Sequence, residues 1–296
     1  MPDASSLQPL RGTHILSLAL NLPGPAALLR CRAMGADCTK LEPPPASGEA
    51  SADPMALYCP PAYAALHQGI RTVHGHLKTE AGQAMLHAEL ARTDVLITSF
   101  RPSALARLGL DWPDLQARYP RLSLVRIVGA PGARAEEPGH DLTYLAEAGL
   151  VTGDAVPPTL YADMGGAVLA SEAVLQVLLA RAASGTGACI EVALSEAAAW
   201  LARPRDWGLT APGGDVGGAH AGYQVYACAD GRVAVAALEP HFMARLCEAA
   251  GLPPGTDPRA AETHTAIAAF LRTQPSAALQ ALARNRDIPL HLLGDA

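Results

Sequence analysis

Four places in the chain put reactive side chains where they could share work. In 137-EPGHDLTYLAEAGL-150 a histidine, His140, stands beside Asp141 between a proline-glycine turn and an apolar run. In 161-YADMGG-166 Asp163 lies just ahead of two glycines and the expected start of a long helix. A carboxylate there meets free helix N–H groups and the positive end of the helix dipole, which favours its ionised form. Gly165 and Gly166 leave space beside it, having no side chains. Glu239 follows an alternating strand and precedes Pro240, while Lys78, Arg101 and Arg107 lie at or beyond strand ends in the N-terminal half. Ligands of open α/β sheets gather outside the carboxyl ends of the strands. Histidine and carboxylate side chains are types that can move protons, and basic side chains at strand ends are suited to phosphate. Each residue also has a plain structural reading. Asp141 serves as an N-cap, Asp163 and Glu239 as helix-start acids, His140 as a surface histidine and the basic residues as solvated charges.

The elements that must position these groups follow from the hydrophobic pattern. Residues 11–20 read as a buried strand, and 21–44 as turn, helix and second strand, with Pro23-Gly24-Pro25 opening the helix and Gly35 closing it. This is a βαβ unit, so a parallel sheet is expected. The proline-rich stretch 45–68 reads as a surface loop. Strands at 71–78, 95–100 and 122–129 then alternate with helices at 79–94 and 103–110 and a further segment at 113–120. A helix capped by Asp141 follows, then a long apolar helix over 167–183, a strand over 188–194 and a helix capped by Ser195. The alternation predicts an α/β fold with a Rossmann-like open parallel sheet over residues 1–202. The Gly-, Pro- and Asp-rich stretch 203–221 reads as a linker. Residues 222–296 form a smaller α+β domain, with a hairpin turning at Asp230-Gly231 and helices near 240–250 and 262–284.

Composition narrows the function classes. Half of the 296 residues are hydrophobic, 17% are charged and the net charge is −6, which argues against a nucleic-acid-coating protein. Aromatic residues are only 4%, too few for base-stacking surfaces. The six cysteines form no CxxC and no zinc spacing, so they read as reduced, small hydrophobes. The cluster 213-GGDVGG-218 follows no strand and reads as a flexible connector rather than a dinucleotide fingerprint. No run reaches the ~18–20 uninterrupted apolar residues of a membrane span, and the N-terminus lacks a secretory pattern. The expectation is a soluble cytoplasmic protein with no membrane or nucleic-acid partner.

Several motifs, in order, carry a resemblance: LRGTHILSLALNLPGP, MGADCTKLEPP, DVLITSFRPSALARLGL, YPRLSLVRIVG, PGHDLTYLAEAGL, ADMGGAVLASEAVLQVLLARAASGTG and YQVYACADGRVAVAALEPHF. Together they resemble the class III CoA-transferase family (CaiB/BaiF type), which includes α-methylacyl-CoA racemases. The resemblance spans residues 11 to about 200 and resumes at 222–252. It implies that Asp163 is the catalytic carboxylate: a nucleophile in the transferases, an acid/base group in the racemases. The racemase pattern also implies His140 and its partner Glu239, and tilts the expectation towards 2-methylacyl-CoA racemisation. By resemblance, Lys78, Ser99, Phe100, Arg101 and Arg107 line the site for the adenosine-phosphate end of CoA. The resemblance further implies that CoA enters as part of the substrate, that no cofactor is tightly bound, and that the protein is a homodimer. The sequence departs from the pattern at Pro43, where an arginine is usual, at Ile70 and His76, where a lysine and an aspartate are usual, and at Ser103. It stops at 287-DIPLHLLGDA-296, where family members continue with a tail that returns to the large domain. These departures keep two alternatives open: acyl-CoA:carboxylate transfer with Asp163 as nucleophile, and a non-catalytic member of the fold.

Overall fold

A computed structural model describes residues 7–294. They fall into two compact units divided between Ala202 and Arg203. The first unit opens with β1 (His14–Ser17), α1 (Pro23–Ala33) and β2 (Asp37–Glu42). Two short helices follow, α2 (Pro54–Tyr58) and α3 (Pro60–Leu66), then β3 (Arg71–His74), α4 (Glu80–Leu90) and β4 (Val95–Thr98). After α5 (Pro102–Arg107), α6 (Trp112–Arg118) and β5 (Ser123–Val128) come α7 (Asp141–Glu147), α8 (Tyr161–Ser184), β6 (Cys189–Ala193) and α9 (Leu194–Asp206). All six strands are parallel, in the order β3-β2-β1-β4-β5-β6. That is the doubly wound Rossmann order, and its direction reverses between β1 and β4.

The inner strands β2, β1, β4 and β5 are largely buried on both faces, as a parallel sheet requires, while the edge strand β3 is partly exposed. Successive residues serve opposite layers: Ile15, Ile97 and Val125 join one core with Leu28, Cys31, Ala170 and Val174. Leu16, Leu96 and Leu124 join the other with Leu86, Leu90 and Leu105. Small residues on the inner face of α8, among them Ala167, Ala170 and Ala173, let it pack closely against α1. No uninterrupted apolar run of membrane length was expected, yet by length and mean apolar composition α8 meets the measure of a membrane span. Its inner face belongs to the core described here.

The stretch 45–68 is the expected surface loop only in its first part, exposed over 46–50; from Pro54 it folds into α2 and α3. Lys40 on β2 is fully buried, and its ammonium group contacts Asp53 and His67 Nε2, the latter at 3.0 Å. Glu42 Oε2 lies 3.1 Å from Lys40 Nζ as an ion pair outside hydrogen-bond alignment. Glu42 Oε1 accepts hydrogen bonds from Ser51 Oγ at 2.7 Å and the Tyr63 hydroxyl at 3.1 Å. An ammonium can only donate and a carbonyl only accept, so the tautomer of His67 follows. Nε2 accepts from Lys40, and Nδ1–H donates to the Tyr63 carbonyl at 2.7 Å. Asp53 caps α2 by accepting the Met55 N–H at 3.0 Å. Buried ionic partners fold the segment into α2 and α3.

In the second unit β7 (Tyr223–Cys228) and β8 (Gly231–Ala236) form the expected hairpin. Helices α10 (Pro240–Ala249), α11 (Ala261–Arg272) and α12 (Ser276–Arg286) follow. The expected helix over 262–284 is therefore two, broken where Pro275 caps the second. A further strand, β9 (Leu290–Leu293), pairs antiparallel with β8 and was not expected. The glycine cluster 213–218 is pinned rather than loose: Arg259 donates to Asp215 Oδ1 at 2.8 Å and to the Gly213 carbonyl at 2.6 Å.

Candidate active site

A cavity of about 190 Å³ opens at the carboxyl ends of the strands in the first unit. Leu20 and Asn21 reach it from beyond β1, Ser99, Phe100 and Arg101 from beyond β4, and Gly129 from beyond β5. His140, Tyr144, Asp163 and Leu194 complete the wall from α7, α8 and α9. This is the switch-point crevice, where the adjacent chain connections diverge and leave room for a ligand. Asn21 holds a left-handed backbone (φ 62°) as the chain reverses into α1. Its N–H donates to Asp53 Oδ1 at 3.1 Å, so the buried ionic group also fixes this lip of the cavity. On the neighbouring lip, Ser99 Oγ accepts the Leu20 N–H at 3.3 Å.

The structure changes the expected roles of both aspartates. Helix α8 begins at Tyr161, six residues earlier than expected, so Asp163 and both glycines are inside it. Gly165-Gly166 reads as a break in sequence, but Gly166 is needed for packing. A Cβ there would stand 2.2 Å from a methyl group of Leu194, so the residue lets α9 approach α8 and opens no space beside the carboxylate. Likewise α9 starts at Leu194, which makes Ser195 its second residue rather than its cap.

Asp141 is not the cap of α7. His140 holds that position in extended backbone, with its N–H donating to Thr143 Oγ1 at 3.1 Å. Asp141 instead turns its buried carboxylate to α8, where Oδ1 accepts the Asp163 N–H at 2.9 Å. The local sequence carried a cap, but for a different helix. The ionised form of Asp163 is not favoured as expected: burial, then the Asp141 charge, raise its carboxyl to about 6, with His140 opposing. The helix N-terminus that was to stabilise Asp163 already has an anion.

Tyr144 is a cavity residue that the sequence reading missed. Its hydroxyl sits between Gly129 and Gly139, where added Cβ atoms would come within 2.3 and 2.6 Å of it. Burial and the Asp163 charge push the phenol up. Asn21, Leu20 and Leu194 were missed too. An asparagine directly after a strand and before Pro-Gly-Pro was the one available signal, since asparagine tolerates left-handed backbone.

Of the expected CoA contacts, Ser99, Phe100 and Arg101 line the cavity and Lys78 and Arg107 do not. Lys78 is exposed in the turn before α4, and Arg107 is exposed at the end of α5. Glu136 accepts from the Ser103 N–H at 2.6 Å and from Ser103 Oγ at 2.9 Å. Those bonds, with Arg101 and Arg107 nearby, hold its carboxyl below the usual range. Glu239 belongs to the second unit, where it is the exposed N-cap residue of α10 ahead of Pro240.

Against known families, the profile described as CoA-transferase family III matches residues 10–296. The chain belongs to that family. It is 32% identical over 220 residues to "Probable fatty acyl-CoA transferase Rv3272" of Mycobacterium tuberculosis, covering 68% of this chain and 54% of that protein. It is 30% identical over 261 residues to the α-methylacyl-CoA racemase of Mus musculus, covering 82% of this chain and 65% of the racemase. The family member described here thus spans roughly half to two-thirds of the length of these relatives. A crystal structure of a CAIB/BAIF family protein from Brucella suis shares its fold, with TM-score 0.80 and 23% identity over 98% of this chain and 85% of that one.

Proposed function

We propose that the protein catalyses 1,1-proton transfer at the α-carbon of a 2-methylacyl-CoA thioester. The observation that carries this reading is that His140 and Asp163 line one cavity. An α-proton beside a thioester is very weakly acidic, so its removal needs a placed base, and inversion needs a second group to return the proton on the other face. A carboxyl that titrates at about 6 is close to the pH at which such a group works best. Arg101, Ser99 and Phe100 are proposed to receive CoA, with Lys78 and Arg107 contributing charge farther out. Glu239 comes to the reaction from the resemblance, as the third acid-base group. Exposed apolar residues on α8 and α9, among them Met164, Val168, Leu179 and Trp200, support a homodimer; light scattering giving the mass of a single chain would refute it.

Deuterium should enter C2 of 2-methylacyl-CoA when the protein is incubated in D2O. His140→Ala should slow that exchange by about 10²–10⁴-fold, the range for losing a positioned acid-base group. The relative named as an acyl-CoA transferase supports a second reading, in which Asp163 attacks the thioester carbonyl, expels CoA thiolate and becomes an acyl anhydride. Hydroxylamine trapping of an acyl group on Asp163, with no exchange at C2, would select it.

A further inference from the structure

We propose that Asp141 is a positioning residue that fixes Asp163 at the start of α8 and makes Asp163, rather than itself, the proton carrier of the cavity; the catalytic meaning rests on the proton-transfer reading above. The first four N–H groups of a helix lack partners within it. Asp163 is the third residue of α8, where an acid is ordinarily favoured as an anion by those groups and by the dipole. Here the place is taken. Asp141 is only 4% exposed, and its carboxylate accepts the N–H of Asp163 itself. A hydrogen-bonded carboxylate holds its charge more readily than a neighbour left beside it, so one proton is shared unequally by the pair.

The other groups around Asp163 do not reproduce this effect. Tyr144 and His140 face it from α7, and Tyr58 feels its charge from α2, where burial and then Asp53 are the stronger influences on the phenol. Arg101 and Glu137 stand on the cavity wall with opposite charges. Among these, His140 lowers the Asp163 carboxyl; Asp141 is the group that raises it beyond burial alone.

Asp141→Asn keeps a carbonyl oxygen for the Asp163 N–H and removes only the charge. The readout is the ¹³Cγ titration of Asp163 in the free protein, its resonance assigned by loss in Asp163→Asn. Wild type should titrate near 6, and Asp141→Asn should bring the midpoint down by about one pH unit. An unchanged midpoint in a folded variant overturns the proposal. Should the variant fail to fold, the wild-type protein decides: Asp163 must titrate near 6 in it, and a midpoint in the ordinary aspartate range overturns the proposal. The titration needs no turnover. A shifted midpoint without exchange at C2 therefore refutes proton transfer while leaving the Asp141–Asp163 relation in place.

Discussion

Asp163→Asn should reduce deuterium exchange at C2 by about 10²–10⁴-fold while making the folded protein more stable at pH 7. The two effects have one cause. Asp163 ionises at an ordinary aspartate value in the unfolded chain and at about 6 in the cavity, so the folded state binds more protons between those values. Stability therefore falls as pH rises through that window, and above it the folded protein carries a constant penalty. Asparagine has no charge to desolvate and none to set against Asp141, so the variant should gain on the order of 1 kcal/mol at pH 7, discounted for partial exposure. The gain should vanish at pH 4, where wild-type Asp163 is protonated in the fold. Urea titrations at pH 7 and pH 4, alongside exchange rates, check this directly. Equal stability at both pH values would show that Asp163 is an ordinary solvated acid. In wild type, exchange from the enantiomer whose proton Asp163 removes should rise with pH through about 6, as the base form appears.

Much of the frame was legible because it rests on periodicity. Buried four- to six-residue runs such as 95-VLIT-98 and 123-SLVRIV-128, separated by helical spacing, can form little except a parallel sheet. The place of the cavity follows from the same topology, since strand ends at a switch point leave such a crevice. Most of the misreadings are long-range; the helix break at Pro275 is the local exception. A buried lysine is written in the sequence exactly as a solvated one is, so nothing local announces that Lys40 folds residues 51–67 around itself. Asp141 carries the right local signal for a cap, yet its partner is Asp163, 22 residues away. The pair Gly165-Gly166 looks like a break until Leu194 is seen against it. Strand β9 is recruited by its antiparallel pairing with β8, a contact some sixty residues distant in the chain.

Lys40→Met should be the most destabilising single change in the first unit. Removing one partner of a buried ionic group strands the others, at a cost of about 3–5 kcal/mol. Both stranded carboxylates, Glu42 and Asp53, are fully buried. Urea unfolding should show the loss as a lower midpoint with little change in slope. Its pH dependence is distinctive. In wild type, burial and Lys40 hold His67 below its ordinary value of 6.5. Such a depressed histidine contributes stability that is complete above 6.5 and is lost as pH falls. Without Lys40, burial still lowers the ring, but the Tyr63 carbonyl, Asp53 and Glu42 now meet less opposition in favouring its protonated form, so the stability lost as pH falls is smaller. The deficit of Lys40→Met should thus be largest near pH 8 and narrow towards pH 5; a deficit independent of pH would exclude this compensation. The same variant should slow exchange beyond what unfolding explains, because Asp53 holds the N–H of Asn21 at the cavity lip. Lys40→Met combined with Asp53→Asn should then cost less in stability than the sum of the single changes, since the second removes a charge that the first leaves unpaired.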